Sequence, residues 1–518
     1  MALTETPPDA EAAAPAPPAS PAATRSQPTA FERMVGAGDH VILGRVLVVL
    51  SLVMLVASLV ISILADADAA SEGSILQAAA AERLLLNQQV SLLLCGVLPL
   101  LLGVALIVVP AQIGSPTVAF PRAASFGVWT WLLSTVLLVV AVAADGSYGG
   151  AGEKMSKLGN VATGGLIVSV VLISVCVAVT VLSFRPLGMT LRDIPFFSFA
   201  MLAAGSVWAL TLASSLAHVA MAQASQANPT TLAVTTFPLG LGWLSSQPAN
   251  FMVVVPLLGL LADVVATLSG GRQRFRGVVR FLIGLAAISS FGAWTQVPAA
   301  RNTVLWVMVG ISLVVPVLGV LGAAADTLRA GRPRLASPLG FVTLGALAAL
   351  AGCLVGAVQG INTAGRGTLF AVDDLAISLG QTRLFLGAAV LAGLGGCWYW
   401  ANRVAGAPLA ETAGKAVAPL ALVGALLWGG GIGLVGFTAG DAVGPLYGVS
   451  VAGGALLLLA AAAGLAAVVG GLQQSRRGDQ LLADPWGGGG TLEWAPEDHQ
   501  VGTVTDPYPL LAEPGGDD

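Results

Sequence analysis

Apolar residues run along this chain in long blocks that polar residues interrupt only briefly. Twelve blocks lie near 43–65, 84–108, 124–144, 161–183, 196–221, 248–269, 276–297, 303–325, 338–360, 376–400, 417–437 and 446–471. Each approaches the ~20 residues with which a helix crosses ~30 Å of hydrocarbon. Most are longer than the roughly ten residues of a transmembrane barrel strand, so helices are predicted. The pattern predicts an all-α membrane protein whose twelve-helix domain fills 35–475.

The flanks read differently. Residues 1–34 are rich in Pro and Ala, with seven Pro and ten Ala among the first 30. This composition predicts a disordered tail. It lacks the basic start and apolar core of a signal peptide. Residues 476–518 form a polar C-terminal tail. If the N-terminus is placed in the cytoplasm, seventeen Lys and Arg fall in inside segments and six outside, together all 23. The inside set includes Arg272, Arg274, Arg276 and Arg280, and the outside set Lys154, Lys157, Arg301 and Arg366. The positive-inside bias predicts that both termini are cytoplasmic, as an even number of spans requires.

Composition agrees with the pattern. The chain is 56% hydrophobic and 10% charged, against about 25% charged in soluble domains. A net charge of -4 gives no basic surface for nucleic acid. Cys95, Cys176, Cys353 and Cys397 are isolated within apolar blocks and read as small buried residues rather than disulfides or metal ligands. Only three histidines occur, His40, His218 and His499. His218, beside Ser214 and Ser215, reads as a hydrogen-bonded helix residue.

Several motifs occur in a telling order. Residues 109–122 read VPAQIGSPTVAFPR, between a span with Pro99 and Gly103 and one with Trp129. Asp39, His40 and Gly44 precede them. Trp243, Pro248, Pro256 and the run from Val264 to Ser269 follow, then Asp373, Gly396 and Trp398-Tyr399-Trp400. Residues 484–494 read DPWGGGGTLEW. Over about 35–500 the chain resembles subunit I of the haem–copper oxidases, specifically cytochrome c oxidase. The resemblance implies a twelve-helix bundle in a bacterial-type plasma membrane, two haems and one copper held by six histidines, and oxidase-like partner subunits among the membrane lipids.

Carried across, that resemblance places the helix II haem ligand on Gln88 and the helix VI copper ligand on Gln247, in the run Gln247-Pro248-Ala249-Asn250-Phe251. The paired copper histidines of helix VII fall on Gln296 and Val297. The HFH motif of helix X, whose two histidines hold the haems, falls on Gly380, Gln381 and Thr382. None of the six is His. The relay glutamate falls on Ala249, the active-site tyrosine on Phe251, the entry aspartate on Thr117 and the helix VIII lysine on Val320. Asp373 matches a magnesium-site carboxylate, but its neighbouring His is Val372. On these residues no catalytic, haem-binding or metal-binding set is expected, with Asp373 at most a remnant.

Three readings follow. The leading one is a non-catalytic structural or assembly subunit of an oxidase-like complex. The family default is a working terminal oxidase that carries electrons from cytochrome c to oxygen and pumps protons. A third is a transporter or a binder of an apolar ligand such as lipid or quinone in the vacated haem space. Gln88, Gln247 and Gln296 either bridge helices or bond locally. A bridging role for Gln88 predicts that Gln88→Leu loses stability. Asp263, Asp326 and Arg383, in or near spans, are expected as solvated or paired surface charges.

Overall fold

A backbone in hydrocarbon must satisfy its own N–H and C=O groups, so each apolar block closes into a helix. The computed structural model describes residues 39–494 apart from 72, 74, 145–152, 187, 228–242, 245–246, 271–272, 297–302, 365–373, 439–441, 478–483 and 488. The N-terminal tail expected at 1–34 lies outside these, as do Val297, Val372 and Asp373. Among the described residues, twelve helices are long and apolar enough to cross a membrane. They are α1 (His40–Ala70), α2 (Asn87–Gln112), α3 (Pro121–Ala143), α4 (Lys154–Ser183), α5 (Phe196–Ala224) and α6 (Gln247–Ser269). The second six are α7 (Arg276–Trp294), α8 (Val304–Ala330), α9 (Ser337–Asn362), α10 (Leu375–Tyr399), α11 (Glu411–Val435) and α12 (Val443–Ser475).

Most consecutive helices pack side by side, α2 packs on α4, and α12 returns to α1 to close the bundle. Three helices form the interior. The most apolar stretch of α2 is 100% buried, that of α6 94% and that of α10 83%, against 28% for α8. Small residues permit the closest contacts. A Cβ on Gly44 would lie 2.7 Å from the carbonyl oxygen of Gly103, so α1 and α2 meet backbone to backbone there. The four cysteines are buried and unpaired.

Helix ends depart from the apolar pattern where polar residues find partners. The α1 helix continues to Ala70, past the expected end at 65, and carries Asp66 and Asp68 with it. Asp68 Oδ1 accepts from the backbone N–H groups of Ile75 and Leu76, 3.0 and 2.7 Å away. Asp66 receives the guanidinium of Arg383 from α10 in a two-pronged contact, Nη1 to Oδ2 at 2.7 Å and Nη2 to Oδ1 at 2.8 Å. Ser450 Oγ of α12 donates to Asp66 Oδ2 at 2.8 Å and accepts from Arg383 Nη1 at 2.9 Å. The Trp428 ring of α11 lies 5.0 Å from the guanidinium carbon. Trp428 Nε1 in turn donates to Ser62 Oγ at 2.9 Å.

Four helices thus converge on one ion pair. The expectation that Arg383 is a surface charge is corrected: its side chain is 1% exposed and that of Asp66 3%. A charge inside hydrocarbon is retained only when a fixed counter-charge and hydrogen bonds replace its water. Asp326 does meet the surface expectation. It pairs with Arg274 at 3.7 Å, both partly exposed.

Removing one partner of the buried pair leaves the other charge unmatched, at a cost of about 3–5 kcal/mol. Arg383→Met is expected to lower the melting temperature in detergent sharply or to abolish accumulation. The double change Arg383→Met with Asp66→Leu is expected to recover most of that loss, read by the same melting curve.

Candidate functional site

The positions to which the oxidase resemblance assigns metal ligands lie on the interior helices. Gln88 begins α2, one turn before a π-helical stretch at Leu92–Val97. Its side chain is 1% exposed, and neither Nε2 nor Oε1 has a hydrogen-bond partner. On α6, Gln247 donates from Nε2 to Gln381 Oε1 of α10 at 3.3 Å. Its own Oε1 accepts from Asn250 Nδ2 at 3.3 Å, one helical turn along. Asn250 Oδ1 is buried and unpartnered. These are long bonds, at the weak end of the N–H···O range.

Of the two alternatives for the glutamines, helix bridging holds at Gln247. Its partner is Gln381, and Gln88 takes no part. The backbone of Gln296 ends the 3₁₀ turn Ser290–Gln296. Gly380 sits where α10 and α11 touch. A Cβ there would lie 2.5 Å from Gly433 Cα and 2.7 Å from the Gly429 carbonyl oxygen. Thr382 is buried beside it. Three of the four positions matched to proton-path residues are apolar and buried, Ala249, Phe251 and, on α8, Val320, while Thr117 is polar and half-buried in the loop before α3. His218 Nδ1 donates to the Ser214 carbonyl of its own helix at 2.8 Å, as its setting predicts. Among the described residues, no group of three or more His, Cys, Asp or Glu side chains is placed to hold a metal ion.

A second polar cluster lies at the end of the bundle that carries the C-terminal tail. Asp263, expected at the surface, is buried near the end of α6. Its Oδ1 accepts from Phe196 N and its Oδ2 from Phe197 N, each at 2.9 Å, so it caps the start of α5 from a neighbouring helix. This satisfies two of the free N–H groups of a helix N-terminus. Gln112 Nε2, at the end of α2, donates to Asp263 Oδ2 at 3.1 Å and to Glu493 Oε1 at 2.9 Å. Gln112 Oε1 accepts from Ser198 Oγ at 2.6 Å.

Glu493 belongs to the TLEW piece of the tail and is 1% exposed. Burial, followed by the nearby charge of Asp263, pushes its carboxyl from an ordinary 4.5 up to about 7. The tail is pinned on both sides. Trp486 Nε1 donates to the Tyr399 carbonyl at 3.0 Å, and Arg403 Nη2 donates to the Glu493 carbonyl at 2.7 Å. The Tyr399 ring stacks on Trp486 and meets Trp494 edge-on, with ring centroids 6.2 and 5.3 Å apart. Leu492 packs over Gly114 of the GSPTVAFPR loop. The two most specific sequence motifs are thereby in contact. In that loop Phe120 takes a left-handed backbone (φ 54°) just before Pro121 starts α3.

Sequence reasoning passed over Asp66, Gln112 and Glu493. The signal for Asp66 was present, since a lone arginine within a span demands an acid from another helix. Gln112 and Glu493 carried no such signal, because only the fold sets their carboxamide and carboxyl side by side.

The unpartnered amide of Gln88 gives the opposite sign to a bridging role. A buried polar group without a hydrogen bond costs about 1–3 kcal/mol. Gln88→Leu is expected to hold or raise the melting temperature in detergent. Gln247→Leu is expected to lower stability slightly, by about 0.6 kcal/mol, because it removes an interhelical amide bond. Paired melting curves of the two variants check the contrast.

Comparison with known proteins places this geometry. The family profile described as "Cytochrome C and Quinol oxidase polypeptide I" matches residues 42–443. A quinol oxidase subunit 1 of Bacillus spizizenii is 26% identical over 223 residues, 38% of this chain and 34% of that protein. The aligned part is thus about a third of that relative's length. A probable cytochrome c oxidase subunit 1-beta of Nocardia farcinica is 24% identical over 438 residues, covering 77% of this chain and 72% of that one. For a cytochrome c oxidase subunit 1 of Corynebacterium diphtheriae the match is 24% over 439 residues, 76% and 74% of the two chains. Twelve apolar helices and a profile match from α1 to α12 agree: the chain belongs to the subunit I family of the haem–copper cytochrome c and quinol oxidases.

Proposed function

We infer that this chain is a non-catalytic subunit I-like protein, a structural or assembly component of an oxidase-like membrane complex. The observation that carries the reading is the set of side chains at the positions matched to metal ligands. Haem iron and copper bind through imidazole nitrogen or sulfur donors. Here the matched positions hold Gln88, Gln247, Gln296, Val297, Gly380 and Thr382. This donor set does not fit two haems and a copper. At Gly380 the fit is worse still, because the α10 and α11 backbones are already in contact. No redox step is therefore assigned to the chain. The buried apolar character of Ala249, Phe251 and Val320 supports the same reading, since a proton path needs ionisable or wet polar groups.

The retained parts support a scaffold role. The interior helices, the AFPR loop and the docked tail present a folded body to lipids and to partner subunits. The seventeen-to-six distribution of Lys and Arg supports cytoplasmic termini in a bacterial-type plasma membrane.

A working terminal oxidase is the second reading, favoured by the family match alone. The two part on one measurement. The protein purified with its native partners is expected to show haem and copper only in proportion to other subunits, and no oxygen uptake of its own with reduced cytochrome c or quinol. Haem and copper stoichiometric with this chain would overturn the scaffold reading.

A further inference from the structure

The Gln112, Asp263 and Glu493 cluster has a property that no scaffold needs. Two carboxyl groups from distant parts of the chain share the two hydrogens of a single amide nitrogen. The two are not equivalent. Asp263 accepts from two backbone N–H groups as well as from Gln112. Three donors favour the charged form of Asp263 over that of Glu493, which has fewer. Glu493 Oε1 accepts from Gln112, with further support to the carboxyl only from Thr491 and its own backbone within the same turn, and its Oε2 is buried without a close hydrogen-bond partner. An ionised Glu493 would face the Asp263 carboxylate with a bare oxygen.

We propose that Glu493 is a proton-operated latch: protonated, it seats the 484–494 segment against the bundle; ionised, it releases it. The charged and titratable groups around it act from each packed element. Asp263 on α6 opposes its ionisation, and the Tyr399 phenol of α10 is held by Thr267 Oγ1 at 2.6 Å. Arg403 engages the Glu493 backbone carbonyl. Arg280 on α7 acts on Asp263 and is tied to the Ile194 carbonyl at 2.7 Å. No cation meets the Glu493 carboxyl itself among the bonds and ion pairs described.

The direction of the pH response follows from linkage. Docking raises the Glu493 carboxyl from 4.5 to about 7, so the docked tail holds a proton that the free tail gives up. Docking is strongest below 4.5, weakens as pH rises through about 7, and is level above that. Between pH 5 and 8.5 those two values correspond to a drop of roughly 70-fold in the docking equilibrium. Release would uncover the Tyr399 ring at the end of α10 and the Gln112 side chain at the end of α2. The latch does not depend on whether the chain carries haem.

The test is hydrogen–deuterium exchange of the full chain in detergent, read on peptides covering 484–494 and corrected for intrinsic exchange at each pH. In the wild type, protection is expected to fall roughly 70-fold from pH 5 to 8.5, while mid-span amides of α2 stay unchanged. Glu493→Gln keeps the shape and removes the charge, so its tail should be equally protected at both ends of the range. Asp263→Asn removes the opposing charge, so the drop should shrink. A pH-independent wild-type tail would overturn the latch without any variant. So would a pH response retained in Glu493→Gln or undiminished in Asp263→Asn.

Discussion

Hydrocarbon offers no hydrogen bonds, so every polar atom that this chain takes into the membrane must find its partner in the chain itself. That single constraint orders the molecule. It makes each apolar block a helix. It holds Arg383 against Asp66, with Ser450 and Trp428 beside the pair. It draws Asp263 onto the open N-terminus of α5. In each case residues from separate helices are bound at one point, so charges that are costly alone become ties between helices.

The interior helices show the constraint met less fully. The Gln247, Gln381 and Asn250 amides meet at long distances, and Gln88 meets nothing. A side chain that grips a metal needs fixed orientation from a surrounding shell. Around these amides the hydrogen bonds are few and long. Elsewhere the interior closes on itself, most plainly where Gly380 lets α10 press on α11. At that point the two helices fill the interior with their own backbones.

The tail end of the bundle reverses this balance. There the family motifs are retained and their partners are close. Leu492, Trp486 and Trp494 bury aromatic and aliphatic surface against Gly114 and Tyr399. Arg403 and Gln112 then set the register of the segment. The scaffold is tied closely where the tail segment meets the helix ends.

Twelve apolar blocks were long enough that their fate as helices needed no tertiary information, because the membrane permits little else. The motifs at AFPR and TLEW carried the family, and the missing histidines were visible by counting. Helix ends were less legible. The α1 block ran on through Asp66 because an arginine over three hundred residues away accepts that charge. The burial of Asp263 and Glu493 was not legible at all. A carboxyl reads the same on paper whether it faces water or the end of another helix. Only the packing of α2, α5, α6 and the tail decided which it was, because burial and hydrogen-bond partners belong to the assembled bundle and not to any one segment of it.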